Sequence, residues 1–368
     1  MQRSERITSI DIVRGLVMIL MAIDHVRVYA AVPAGGPSPG VFFTRWITHF
    51  VAPTFIFLAG TSAYLHGRRL TRGALSKYLL TRGLWLVLLE LTVIRLAWTF
   101  NLDFRHYLLA GVIWVIGWSM VVMSGAIWLP RAVIGAIGVA IIALHNLTDV
   151  FGGVAEPNVL LQFLYFGGGV GPLLILYVLL PWLAVMMCGY AFGAVMESEW
   201  RRTICLRLGL VLTALFVVLR WIDVYGDPRH WREAPSPLFF IATTKYPASL
   251  LFLLMTLGPM FLMLAAAESW RGRIGDIFAT FGRVPMFYYL LHIPVIHIAA
   301  CIVSLIREGR VNPWLFGNFP VDPPPVPEGY RWSLPLLYLV FAICVIVLYF
   351  PSRWYARVRG KHAWLSYL

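Results

Sequence analysis

About ten long apolar segments run along this chain of 368 residues and constrain its fold more than any other feature. The first covers residues 9–32, and about 20 apolar residues suffice for a helix to cross the hydrocarbon core of a bilayer. The remaining segments are 43–66, 79–99, 108–129, 132–151, 172–196, 204–224, 247–267, 284–306 and 334–350. The sequence therefore predicts an all-α, polytopic integral membrane protein.

Composition supports this prediction and excludes other classes of protein. Hydrophobic residues make up 60% of the chain and charged residues only 13%, which lies outside the soluble globular range. The formal net charge of +13 lies beside the apolar segments, where it fits anionic lipid headgroups better than nucleic acid. The four cysteines form no CxxC pair, so no metal site is predicted. We expect residues 1–368 to form a single transmembrane domain.

The placement of basic residues predicts the orientation of the helices. Lys and Arg cluster at 68–82, 201–207, 271–283 and 353–361, in alternate connections. The positive-inside rule makes those sides cytoplasmic and puts both termini in the cytoplasm. The Gly- and Pro-rich connections 33–40, 151–171, 225–246 and 307–332 should then lie outside, the last as an extended cover. We expect a multi-pass protein of the inner cell membrane.

The first segment carries a lengthwise polar stripe. At 100° per residue, Arg14 and His25 fall within about 20° of each other, and Asp11 lies about 40° from His25. Arg14 and His25 stand about 16 Å apart along the helix. Ionisable groups in hydrocarbon cost at least a few kcal/mol each, so the stripe must face protein, water or substrate.

Two readings of this stripe remain open. Asp24 could orient the His25 imidazole or raise its basicity, which would suit a catalytic base. Asp24 could also serve another helix, because adjacent residues point about 100° apart. In a purely structural reading, Asp11 and Arg14 only pair with each other, and His25 hydrogen-bonds a neighbouring helix.

Further polar residues lie in the second and third segments. Arg45 and His49 share one face near the predicted outer end of the second segment, where they suit a polar sugar or an anion, or an interfacial structural role. Glu90 lies mid-membrane, with Arg95 nearer the outside. We expect Glu90 to pair with a basic residue of another helix, with a proton relay as the alternative.

Two later motifs complete the set of candidates. Lys245 and Tyr246 stand at the predicted outer mouth of segment 247–267, where they could meet an acceptor or simply snorkel. Arg283 stands at the predicted cytoplasmic end of segment 284–306, with His292 about two turns further in. Arg283 is placed to bind a cytosolic phosphate, or to act as a positive-inside anchor.

With these residues assembled, the chain resembles bacterial membrane proteins related to the catalytic domain of lysosomal heparan-alpha-glucosaminide N-acetyltransferase. The first helix also resembles the signature of the wider transmembrane acyltransferase superfamily. Five stretches in order carry the resemblance: RITSIDIVRGLVMILMAIDHVR, FFTRWITHFVAPTFIFLAGTSAYL, LLTRGLWLVLLELTVIR, TTKYPASLLFLLMTLGP and FGRVPMFYYLLH.

The resemblance implies transfer of an acyl group from cytosolic acyl-CoA, acetyl-CoA in particular, to an extracytoplasmic glycan or other small acceptor. It implies that the histidine is the base or acyl carrier and that Arg14 assists the donor, with acyl-CoA as a cosubstrate and no permanent cofactor. We expect the acyl-CoA-binding residues to be Arg14, Asp11, Arg283 and His292. The lysosomal enzyme has Asn where His25 stands, and its active histidine lies before the second helix. The catalytic assignment is therefore split between His25 and His49, with His25 preferred.

Other classes of membrane protein use similar residues. Intramembrane Glu, Arg and His also mark proton-coupled secondary transporters, and a lipid or glycan flippase would need no chemistry. The acceptor, the acyl chain length and the oligomeric state are not encoded in any motif of this sequence.

Overall fold

The computed structural model describes residues 7–36, 38–150, 157–233 and 236–359. It is mostly helical, and the described residues include six helices long and apolar enough to cross a membrane. This supports the prediction of a membrane protein. The six are Pro39–Gly67, Leu179–Glu197, Arg201–Ile222, Leu250–Ala267, Pro285–Glu308 and Leu334–Val358. Residue 151 of the predicted segment 132–151 and residues 360–361 of the last basic cluster lie outside the described residues.

The α-helices are numbered here in chain order. They are α1 (Thr8–Tyr29), α2 (Pro39–Trp46), α3 (Val51–Gly67), α4 (Arg72–Leu89), α5 (Arg95–Thr99), α6 (Val112–Ala126), α7 (Arg131–Leu144), α8 (Leu147–Val150), α9 (Val159–Leu161), α10 (Leu179–Phe192), α11 (Arg201–Ile222), α12 (Leu250–Ala267), α13 (Arg273–Arg283), α14 (Pro285–Glu308) and α15 (Leu334–Val358). Single 3-10 turns cover Ile47–Phe50, Val195–Glu197, Pro237–Ile241 and Pro313–Phe316, and π-helical turns cover Glu90–Ile94 and Gln162–Phe166.

The other four predicted spans are helical but differ from plain apolar spans. Helix α1 has 22 residues and carries the charged stripe. The third span is divided into α4, a π-helical turn and α5. Helices α6 and α7 have only 15 and 14 residues. The number of ten spans and the orientation of the termini therefore stay predictions.

A small sheet corrects the all-α prediction. Strands β1 (Leu108–Ala110), β2 (Gly168–Val170) and β3 (Leu173–Ile175) pair in the order β1-β3-β2, parallel between β1 and β3 and antiparallel between β2 and β3. Gly167, Gly168 and Gly171 have φ angles of +72°, +96° and +58°, which no continuing helix permits. The strands occupy the starts of the segments 108–129 and 172–196, which is why α6 and α10 are shorter than predicted.

Contacts divide the chain into two compact units. Unit 1 comprises the described residues of Met1–Val51, Val93–Asp103 and Ala267–Leu368, and unit 2 those of Ala52–Thr92 and Phe104–Ala266. In unit 1, α1 packs against α13, α14 and α15. In unit 2, α4 packs against α6, and α10 packs against α6 and α7, beside the three-stranded sheet.

Helix α13 is an element that the apolar pattern does not reveal, because it is only 11 residues long and amphipathic. Two glycines bring its backbone against α1. A Cβ on Gly282 would lie 1.8 Å from the carbonyl oxygen of Asp11, and a Cβ on Gly15 would lie 1.8 Å from that of Phe278. Only glycine allows such an approach, so these two positions determine how α1 and α13 dock.

The Pro-rich connection between α14 and α15 packs on the C-terminal end of α1. Trp314, Phe319 and Tyr330 of this connection are buried. The Tyr330 hydroxyl donates a hydrogen bond to the carbonyl oxygen of Tyr29 at 2.9 Å, and the Phe319 ring lies 5.0 Å from the Tyr29 ring. Burial raises the pKa of the Tyr330 hydroxyl above its ordinary value, which keeps it a donor. This segment thus covers one end of unit 1.

Candidate functional site

The polar stripe of α1 faces protein in unit 1, on the side of α13 and α14. At its N-terminal end Asp11 is buried, and the Arg14 guanidinium lies 3.8 Å from the Asp11 carboxylate. The same guanidinium donates to the carbonyl oxygen of Gly282 at 3.4 Å, near the C-terminus of α13, where a helix favours cations. This end of the stripe is therefore an ion pair joined to a helix end.

The other end of the stripe is a pair of imidazoles. His25 Nδ1 lies 2.6 Å from His292 Nε2, and the rings stack with centroids 4.8 Å apart. His292 is fully buried, and its Nδ1 lies 2.6 Å from the carbonyl oxygen of Tyr289. The edge of Trp98 approaches His25 with ring centroids 4.7 Å apart. Sequence reasoning singled out both histidines but did not bring them together, since helical periodicity does not reveal which helices are neighbours.

Asp24 has a different setting from the one that would orient His25. One carboxylate oxygen accepts a hydrogen bond from Arg27 Nε at 2.8 Å, and the other accepts from Arg45 Nη1. Arg27 also donates to the carbonyl oxygen of Val32 at 2.7 Å. Asp24 thus joins α1 to α2 through the Arg45 guanidinium, while Arg27 pairs with it within α1; His25 has a hydrogen bond to His292.

Two further candidates of unit 1 lie on adjoining elements. His49 lies half-buried in the 3-10 turn Ile47–Phe50 that follows α2. Arg283 is the last residue of α13, directly after the Gly282 that Arg14 contacts, and its side chain is exposed. The structure therefore brings Arg14 and Arg283 to the same end of α13.

Glu90 has backbone partners rather than the expected basic residue. It is buried at the start of the π-helical turn, and one carboxylate oxygen accepts hydrogen bonds from the backbone N–H groups of Ile113 and Trp114, at 2.8 and 3.1 Å. These donors belong to the first turn of α6, where the helix dipole favours a negative charge. Within the described residues, Glu90 makes no ion pair. The prediction of an intramembrane ion pair at Glu90 is therefore wrong.

Arg95 is fully buried and donates hydrogen bonds to acceptors of the loop that follows α5. Its guanidinium donates to the carbonyl oxygen of Asp103 at 2.6 Å, to the side-chain oxygen of Asn101 at 2.7 Å, and to the carbonyl oxygen of Asn101. The Asn101 amide in turn donates to the carbonyl oxygen of Phe316 in the covering connection. Arg95 thus organises loop backbone in unit 1.

Lys245 and Tyr246 lie in unit 2, just before α12. Lys245 is only 8% exposed, and its ammonium lies 5.5 Å from the centre of the Tyr177 ring and 5.2 Å from that of Tyr246. A cation packed against two aromatic faces is stabilised by them. This packing favours a structural role for the Lys245 ammonium over direct contact with an acceptor.

The comparisons with known proteins agree with these elements. The model of the family "Heparan-alpha-glucosaminide N-acetyltransferase, catalytic" matches residues 6–222, which is more than half of the chain. The matched range contains Arg14 and His25 and ends before Arg283 and His292. No curated protein matches the chain. A family match of this extent, on a helical chain with several apolar spans, establishes that the chain belongs to the heparan-alpha-glucosaminide N-acetyltransferase catalytic family of membrane acetyltransferases.

Proposed function

We propose that the protein is a multi-pass acyltransferase of the inner cell membrane. It moves an acetyl or other acyl group from cytosolic acyl-CoA to a sugar or other small acceptor on the extracytoplasmic side. The observation that carries the proposal is the His25–His292 pair, joined through α1 to the Arg14 contact on α13. A half-buried base on the same stripe as a cation suits a long substrate with a charged head and a reactive tail.

The chemistry assigned to His25 is general base catalysis. Its imidazole takes the proton from the acceptor hydroxyl or amine as that group attacks the thioester carbonyl carbon. A carbon–oxygen or carbon–nitrogen bond forms, the carbon–sulfur bond breaks, and the proton passes on to the departing CoA thiolate. The products are the acylated acceptor and CoA thiol. The alternative order has His25 accept the acyl group first and then pass it on.

The donor is assigned to the end of the stripe at Arg14. Arg14 and Arg283 offer guanidiniums that suit the phosphates of CoA, because Arg makes charge-assisted hydrogen bonds to phosphate oxygens. The 11 residues from Arg14 to His25 correspond to about 16 Å of helix, which is of the order of an extended pantetheine arm. No permanent cofactor is required, since acyl-CoA is consumed as a cosubstrate.

The acceptor is assigned to the other end, near α2. Arg45 lies there with Asp24 and Arg27, and two guanidiniums share one carboxylate, which leaves a formal surplus of one positive charge. That surplus suits an acceptor with polar or anionic groups. His49 follows on the adjoining turn and is the second candidate for the base.

The test is release of CoA thiol from acetyl-CoA by detergent-purified protein, with and without a panel of amino sugars and neutral sugars. The wild type should release thiol faster with one acceptor class, and His25→Ala should lose about 10²- to 10⁴-fold in kcat. His106→Ala is the matched control, because His106 is an exposed histidine of the loop after α5. His49→Ala distinguishes the two candidate bases.

Each result separates the candidate functions. If His49→Ala is inactive while His25→Ala has normal activity, the catalytic base is His49, in the turn after α2. If no variant or wild-type preparation releases thiol, and proteoliposomes show proton-linked uptake of a solute, the protein is a secondary transporter and the acyltransferase proposal is refuted. Transbilayer movement of a lipid or glycan without thiol release would point to a flippase.

A further inference from the structure

The histidine that hydrogen-bonds to His25 lies outside the residues that the family model matches. His292 belongs to α14, and the family match ends at residue 222. His292 is fully buried and hydrogen-bonds at both ring nitrogens, to the Tyr289 carbonyl through Nδ1 and to His25 through Nε2. With both ring nitrogens engaged, His292 has no polar ring atom left for acyl-CoA, in contrast to the expectation from the sequence, so its role must act through His25.

The positions of the ring protons of His292 and His25 follow from the atoms that accept their hydrogen bonds. A carbonyl oxygen can only accept a hydrogen bond, so the proton of the His292–Tyr289 contact lies on His292 Nδ1. Full burial disfavours a doubly protonated imidazolium at this position. His292 is therefore neutral, and its Nε2 has a lone pair rather than a proton.

The proton between the two rings must then come from His25. His25 Nδ1–H donates to His292 Nε2 across 2.6 Å. A neutral imidazole carries one ring proton, so Nε2 of His25 is the basic nitrogen. We infer that His292 is the positioning residue of the reaction: it fixes the tautomer and the ring plane of His25, so that Nε2 is directed to the reacting groups. This inference rests on the proposed function.

The aromatic neighbours support a fixed arrangement. The Tyr288 ring is nearly parallel to that of His292, at 8° and a centroid distance of 5.5 Å, and Trp98 flanks His25. Turning over the ring of either histidine would break the hydrogen bond between them. The relay from the Tyr289 carbonyl through His292 to His25 is therefore held by packing as well as by polar contacts.

The experiment uses full-length protein labelled with ¹⁵N at its histidines, in detergent and at a pH at which His25 is neutral. Nitrogen chemical shifts report which ring nitrogen carries the proton, and a His25→Ala sample identifies the His25 signals. The wild type should show His25 protonated at Nδ1. His292→Phe keeps a ring but removes the acceptor, so His25 should change to a form protonated at Nε2. His292→Gln retains an acceptor oxygen and should keep more of the Nδ1–H form than His292→Phe.

Kinetics supply the second measurement. His292→Phe should lower kcat by about 10²- to 10⁴-fold, the range for losing a correctly oriented base, with the KM for acetyl-CoA nearly unchanged. His292→Gln should recover part of kcat. His297→Phe, at a second fully buried histidine of α14, controls for loss of packing and should leave the His25 tautomer unchanged.

The outcomes separate this inference from the proposed function. A wild-type His25 protonated at Nε2, or a His292→Phe protein with an unchanged His25 tautomer, would overturn the role of His292. The expected tautomer shift in a protein that releases no thiol from acetyl-CoA would support the role of His292 and overturn the acyltransferase proposal. If His292→Phe does not fold, the His25 tautomer in the wild-type and His292→Gln spectra tests the role of His292.

Discussion

The contact between α1 and α13 allows a sharp test, because one added methyl group should disrupt it. A Cβ on Gly282 would stand 1.8 Å from the carbonyl oxygen of Asp11, whereas ordinary contact begins near 3.4 Å. Gly282→Ala therefore requires the two backbones to separate by about 1.6 Å. The atom in the way is backbone rather than the end of a flexible side chain, so the strain cannot be relieved by a rotamer change.

The expected change in the free energy of unfolding of Gly282→Ala follows from two opposing effects. Overpacking of this kind costs about 1–3 kcal/mol, and the backbone clash puts Gly282→Ala at the upper end. Replacing glycine by alanine in a helix otherwise stabilises the folded state by about 0.5–1 kcal/mol. We expect a net loss of about 2–2.5 kcal/mol in the free energy of unfolding. Gly125→Ala in α6 is the matched control, because a Cβ there meets nothing within 4 Å and only the stabilising effect remains.

The assay is thermal unfolding of purified protein in one detergent, followed by intrinsic tryptophan fluorescence. Gly282→Ala should lower Tm by several degrees, while Gly125→Ala should leave it unchanged or raise it. Affinity for CoA should also fall in Gly282→Ala, since Arg14 loses its contact with the Gly282 carbonyl. Equal melting temperatures for the two variants would show that α1 and α13 do not meet through their backbones.

Three further predictions address the donor, Glu90 and the topology. Arg14→Gln should weaken acetyl-CoA binding far more than acceptor binding, while His25→Ala should spare it; calorimetry that finds unchanged CoA affinity and lower stability for Arg14→Gln would reduce Arg14 to a partner of Asp11. Glu90→Gln keeps an acceptor oxygen for the α6 N–H groups and should lower Tm little, whereas Glu90→Leu should cost about 1–3 kcal/mol; equal losses would contradict the capping role. Reporter fusions after residues 150 and 368 should report opposite sides of the membrane, and a C-terminal reporter outside would refute the predicted orientation.

The parts of the fold that the sequence predicted are those that depend on apolar length. Segments such as 334–350 and 204–224 became α15 and α11 because a long apolar run has few alternatives to a helix. The strands β1 and β3 were missed because apolar residues fit both strand and helix, and only the pairing between distant segments decides. Helix α13 was missed because its 11 residues have an apolar face but no apolar run.

The candidate site was predicted where one helix determines it and missed where two helices meet. The stripe of Asp11, Arg14 and His25 needs only helical periodicity, and it does face protein. The meeting of His25 with His292 depends on the tilt and offset of α1 against α14. His25 lies 17 residues after the first residue of α1, and His292 lies 7 residues after that of α14. At 1.5 Å per residue, equal starting depths would separate them by about 15 Å, so no depth argument could have paired them.

The charges along α1 are distributed in a way that suits a long donor with a neutral reactive centre. Asp24 shares its carboxylate between two guanidiniums at one end, and Arg14 pairs with Asp11 beside the exposed Arg283 at the other. Counting Arg283, each end has a formal surplus of one positive charge. His25 and His292 lie at the same end as Asp24, and their shared hydrogen bond needs no net charge. The Asp24 carboxylate beside His25 is already paired with Arg27 and Arg45, so it is not an isolated charge next to the base. In the proposed reaction, donor binding at Arg14 and proton transfer at His25 then take place about 16 Å apart on one helix.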